Sequence, residues 1–90
     1  MRINRVVFRK FNNGDVIALL QDNPSNIGMV DSYMHIGQHG EASVEIINNT
    51  TLAKKNEYKA LFKELTEIGY KLKVVKKINY NDLCVNWNNN

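Results

Sequence analysis

The stretch Arg5-Val6-Val7-Phe8-Arg9-Lys10-Phe11-Asn12-Asn13-Gly14-Asp15-Val16-Ile17-Ala18-Leu19-Leu20 decides the fold. Val and Phe dominate residues 5–11, and such side chains suit a pleated, half-buried strand. The Asn13-Gly14 pair inside Asn12-Asn13-Gly14-Asp15 predicts a tight type I′ hairpin turn, whose central residues need positive φ. Val16 to Leu20 then reads as the returning strand. The chain opens as an antiparallel hairpin.

Downstream, Gln21 to Gly28 gathers Asp22, Asn23, the single Pro24, Ser25 and Asn26, all turn formers. Met29 to Ile36 reads as a third strand. Gly37-Gln38-His39-Gly40 reads as a loop, because two glycines three apart release the backbone. Val44, Ile46 and Ile47 favour a short strand over a short helix for residues 42–47. A helix follows: Thr50 or Thr51 can cap it, and Tyr58, Leu61, Phe62, Leu65 and Ile68 recur at spacings of three and four. Lys59, Lys63, Glu64 and Glu67 fall on its solvated side, and Gly69 is a stop signal. Tyr70, Leu72, Val74 and Ile78 then alternate with Lys71, Lys73, Val75 and Lys77, a half-buried strand.

The order β-β-β-(β)-α-β predicts an α+β fold: a single small domain with an antiparallel sheet of about four strands and one amphipathic helix packed on one face. Residues 1–78 make that domain. Residues 79–90 form an Asn-rich tail. It reads as a loosely docked terminus, with the alternation of Leu83, Val85 and Trp87 offering an extra strand or oligomerisation arm as the alternative.

Composition excludes several classes. Ninety residues hold one domain, and 43% apolar against 23% charged residues argues for collapse around a core rather than disorder. The longest apolar runs, such as Val16 to Leu20, fall far short of the roughly 20 residues that span a bilayer. No basic-apolar-small signal pattern opens the chain. A lone cysteine, Cys84, makes no internal disulfide and suits a reducing compartment, so the expectation is the bacterial host cytosol. The 14 asparagines, with many Lys and Ile, suggest an AT-rich coding sequence of a low-GC bacterium or its phage.

Charge is informative by position. The formal net charge is +3, yet residues 12–53 contain no Lys or Arg while carrying Asp15, Asp22, Asp31, Glu41 and Glu45. All 12 basic residues lie elsewhere. If the terminal segments pair in one sheet, a basic region stands apart from an acidic one. Such a region attracts phosphates or an acidic protein, although lysines on a strand also serve simply to block edge pairing.

The densest polar cluster is Asp31-Ser32-Tyr33-Met34-His35-Ile36-Gly37-Gln38-His39-Gly40-Glu41. In an extended chain Asp31, Tyr33 and His35 share one face, expected to be the open one. Three chemistries compete with a plain Gly-x-x-Gly turn. His35-x-x-x-His39 with Glu41 has metal-ligand residue types, but that spacing suits a helix, which Gly37 and Gly40 oppose. His35 or His39 could act as a general base oriented by Asp31 or Glu41, although no nucleophile or oxyanion site is identifiable. Binding is better supplied: Gly37 and Gly40 let backbone N–H groups approach an anion, Tyr33 can stack on a base, and His35, Gln38 and His39 can read hydrogen-bonding edges. Arg9, Lys71 and Lys73 are candidate phosphate contacts. No cofactor and no metal are expected.

Duplex nucleic acid is not an expected partner. No zinc finger, helix-turn-helix or aromatic RNA-binding motif is present, and the helix balances Lys54, Lys55, Lys59 and Lys63 against Glu57, Glu64 and Glu67. The stretches Val7 to Lys10, Gly14 to Leu19, Ser32 to Gly40, and Glu57-Tyr58 through Gly69 to Leu72 resemble a family of short uncharacterised proteins of bacteria, phages and mobile elements. The resemblance covers roughly residues 6–78, with Ser-Tyr-Met-His-x-Gly-Gln-His-Gly its most specific run. The resemblance supplies context and no mechanism. Small phage proteins without a catalytic constellation often act by binding, so the expectation is a small non-enzymatic binding protein, of counter-defence type, that sequesters a nucleotide-like signal or blocks a host defence protein. The alternatives are a small phosphodiesterase or other hydrolase using His35 or His39, and a structural or assembly protein that forms a homo-oligomer through its tail.

Overall fold

The computed structural model describes residues 3–35 and 37–79. The strands are β1 (Ile3–Lys10), β2 (Val16–Leu20), β3 (Met29–Met34), β4 (Gln38–Ser43), β5 (Thr51–Leu52) and β6 (Lys71–Val74). A 3-10 helix covers Val44–Asn49, and α1 runs Lys55–Ile68. The sheet order is β4-β3-β2-β1, with β5 and β6 sharing the far side of β1. Among the described residues every pair is antiparallel except β1 with β6, which is parallel because the α1 crossover reverses the chain between them. The α+β domain with one helix on an antiparallel sheet is therefore present, with more strands than the sequence pattern shows. Residues 80–90, including the alternating Leu83, Val85 and Trp87, lie outside the described residues.

The first hairpin forms with a different turn. Lys10 pairs with Val16, Phe11 N–H donates to Asp15 O at 2.9 Å, and Gly14 N–H donates to Phe11 O at 2.9 Å. The loop is thus the three residues 12–14, with Gly14 at φ 95°. Asn13 stabilises it: its Oδ1 accepts from Asp15 N–H at 3.0 Å. A two-residue Asn13-Gly14 turn would set Phe8 opposite Leu19; the observed register sets it opposite Ala18. Both strands are apolar on both faces, so hydrophobic alternation does not choose between these registers and the turn does.

The sheet is buried on two faces. On one, Val6, Phe8, Ala18, Leu20 and Tyr33 pack with Leu61 and Leu65 of α1 and with Ala53. Phe8 stacks on Tyr58 with ring centroids 4.4 Å apart. On the other, Val7, Ile17, Leu19 and Val30 are covered by the 3-10 helix and by Val75 and Ile78. Two covered faces explain the unbroken apolar runs of β1 and β2. Ile78 is therefore not the end of a long last strand: β6 stops at Val74, and the chain folds across the second face, tied by Asn79 N–H donating to Gln21 Oε1 at 3.0 Å. The helix starts later than Thr50 or Thr51. Lys54 is its N-cap residue, and Glu57 accepts from Lys54 N–H at 2.8 Å. No helix among the described residues is long and apolar enough to cross a membrane.

Candidate functional site

Tyr33, His35 and His39 come together at the Met34–Gln38 end of the sheet. Tyr33 and His39 are cross-strand neighbours whose rings meet edge-on at 4.6 Å. His35 Nδ1 lies 2.6 Å from Glu64 Oε1 of α1. A carboxylate only accepts, so Nδ1 carries the proton there. The Tyr33 hydroxyl donates to the other Glu64 oxygen and accepts from Gly37 N–H at 3.0 Å. The hydrogen bond to Glu64, followed by burial, holds the Tyr33 phenol above its usual value. His39 Nε2 shares a 3.2 Å hydrogen bond with Tyr70 OH, which also accepts from Asn23 Nδ2 at 3.4 Å.

Asp31, Tyr33 and His35 do share a face, but it is the helix-covered face and not an open one. Tyr33 is only 1% exposed and both sides of its hydroxyl are occupied, so it cannot stack on an incoming base. Nor is Gly37-Gln38-His39-Gly40 a loop. His35 and Gly37 are turn residues, Gly37 having φ 72°, and Gln38, His39 and Gly40 are already paired in β4. Gln38, opposite Met34, points away from His39, although it meets His35 and Asp15 at a shallow cleft of about 170 Å³. Among the described residues no group of three His, Cys, Asp or Glu is placed to hold a metal ion.

The three candidate cations lie elsewhere. Arg9 is a structural clamp: Nε donates to Thr50 Oγ1 at 3.0 Å, and one terminal nitrogen donates to Ile47 O at 3.0 Å and Thr50 O at 2.6 Å. These bonds satisfy carbonyls at the end of the 3-10 helix and occupy the guanidinium fork that a phosphate would need. Lys71 and Lys73 sit on β6 beside Ile3 and Arg5, at the opposite edge from β4 and on the face away from α1. The polar cluster and the basic strand are not one site.

A second concavity has the chemistry that the first lacks. Between the start of α1 and β6 lies a cleft of about 470 Å³ lined by Phe8, Leu52, Ala53, Tyr58, Val74 and Val75, with Lys54, Lys55 and Lys76 at its rim. It continues into one of about 310 Å³ along Lys59 and Phe62. Among the described residues no carboxylate lines either part. Leu52 and Val74 leave 40% and 39% of their surface open there. An apolar floor with a few convergent polar groups is the usual form of a small-ligand site.

Sequence counting missed Glu64 and these lysines for one reason. Along the helix the charges cancel, but in the fold Glu57 is taken by Lys10 and Glu64 by Tyr33 and His35. Of the lysines beside the cleft, Lys54 still contributes to holding Glu57 ionised, while among the described residues Lys55, Lys59 and Lys76 make no ion pair. One signal was readable: Glu64 stands three residues after Leu61, at the border of the buried stripe. Comparison with protein-family models, with curated proteins and with solved structures gives no match to this chain.

Proposed function

We propose that this chain is a non-enzymatic binding protein that holds a nucleotide-like anion in the cleft between α1 and β6. The observation that carries the reading is an apolar, aromatic-walled floor bordered by Lys54, Lys55, Lys59 and Lys76, with no acidic side chain among the described residues of the lining. Tyr58 and Phe62 offer ring surface to a base, and the ammonium groups offer charge to phosphates. In this proposal holding the ligand withdraws a host signal, the role expected of a small phage or mobile-element binding protein. The Tyr33-His35-His39 cluster supports this reading less, because Glu64, Asp31 and Glu41 on the same face repel an anion.

The test is a thermal-shift screen against mono-, di- and cyclic oligonucleotides and NAD-derived nucleotides, with the ligand recovered afterwards. At 100 times the dissociation constant, one site stabilises the fold by about 2.7 kcal/mol, several degrees for a domain of this size. Lys55→Ala with Lys76→Ala should weaken binding about tenfold or more, equivalent to about 1.4 kcal/mol. No shift with any probe overturns the nucleotide reading and leaves a protein partner. A second reading has its own observation: His35, held at Nδ1 by Glu64, has the orientation of a general base. A consumed ligand, with turnover lost in His35→Ala, would favour that hydrolase.

A further inference from the structure

The two edges of the sheet are built differently. On the far side of β1, the exposed strands are only four and two residues long, and β6 carries Lys71 and Lys73. Short, lysine-bearing strands are the ordinary defence of an edge. β4 has six residues, Gln38-His39-Gly40-Glu41-Ala42-Ser43, with neither Lys nor Pro, and all but Ala42 are exposed. Among the described residues nothing pairs with its outer side. From this contrast we propose that β4 is a self-association edge, pairing antiparallel with β4 of a second copy across a two-fold axis at Gly40.

The register follows from hydrogen-bond phase and charge. Val44 N–H donates inward to Gly28 O at 3.0 Å, so by alternation the even-numbered residues of β4 face β3 and His39, Glu41 and Ser43 face outward. In an antiparallel pair, outward residues must meet outward residues. A two-fold at Glu41 would set two carboxylates face to face. A two-fold at Gly40 sets His39 opposite Glu41 of the second copy, twice, with Glu41 N–H reaching the facing His39 carbonyl. Glu41 is already held in place by Asn26, whose Nδ2 donates to Oε1 at 2.9 Å. A carboxylate has acceptor sites to spare for an imidazole. Gly40 on the axis adds no side chain where the two strands come closest. The self-complementarity of this register, rather than the openness of the edge, favours a second copy over an unrelated strand.

Sedimentation equilibrium of the full chain tests this, with circular dichroism confirming the fold of each variant. The wild-type chain should self-associate to a dimer. Glu41→Lys should weaken it about tenfold or more, because two favourable cross-strand pairs become unfavourable. His39→Glu with Glu41→Lys should restore it, since only this register sets residue 39 opposite residue 41. Glu41→Pro, which removes an outward N–H without touching a bond to β3, should also weaken it. A monomer at all concentrations, or a dimer indifferent to Glu41→Lys and Glu41→Pro, overturns the proposal. Failure of the double variant to recover overturns the register.

Discussion

Replacing Arg9 by Ala separates the two roles that this residue could have. In the fold its half-buried guanidinium makes three hydrogen bonds, to Thr50 Oγ1, Ile47 O and Thr50 O. Hydrogen bonds to a charged group contribute about 1.5–3 kcal/mol each in isolation. They do not add here: one guanidinium is desolvated once, and the freed carbonyls recover some water. The whole clamp is therefore worth about 2–3 kcal/mol, and Arg9→Ala should lower the melting temperature by roughly 10–20 °C. Arg9→Lys should fall between, keeping the charge but not the fork. Urea unfolding followed by circular dichroism gives the magnitude. Amide exchange gives the location, with residues 44–52 opening before the β1–β2 core. Nucleotide binding per folded molecule should not change. A melting temperature within about 2 °C of wild type would refute the clamp, and loss of binding with stability intact would restore Arg9 as a ligand contact.

Four further outcomes follow from the same geometry. Leu65→Ala, at a fully buried position, should destabilise by about 2–5 kcal/mol in urea unfolding, while Ile68→Ala, 51% exposed, should stay within about 0.5 kcal/mol. Gly14→Ala forces a side chain into φ 95° and should cost about 1–2 kcal/mol by the same assay. The Tyr33 phenol is raised by its bond to Glu64, so the stability it adds is present at neutral pH and lost as pH rises through its folded value; ultraviolet titration should show a late phenol that Glu64→Gln brings earlier. Glu57 is held below the usual carboxylate range by the Lys10 side chain first and the Lys54 N–H second, so its contribution is present above the ordinary value and lost as pH falls through the lowered one; Glu57→Gln should flatten that acid limb.

Much of the candidate chemistry was legible as residue type and misplaced as position. His35 and His39 were visible as a pair, and they do meet near Tyr33, because alternation along β3 and β4 is a local property. The carboxylate partner of His35 was not visible as such. Asp31 and Glu41 are near in sequence, whereas Glu64 is 29 residues from His35 and reaches it only when α1 packs over β2. Arg9 illustrates the same limit: an arginine on a strand looks free until the 3-10 helix ends beneath it.

Local physics alone determined the hairpin, the amphipathic α1 with its Gly69 stop, and the single-domain α+β class, since each depends on side-chain period and turn chemistry within about 15 neighbouring residues. Tertiary structure decided the rest. It covered the second face with Val75 and Ile78 and set β6 parallel to β1. It also separated Lys71 and Lys73 from the histidines by the width of the sheet. Above all it paired Glu57 with Lys10 and Glu64 with Tyr33 and His35, turning a helix of balanced charge into one side of a lysine-bordered cleft. The physical reason is that charge along a chain sums without regard to partner, whereas charge at a site is what remains after long-range pairing.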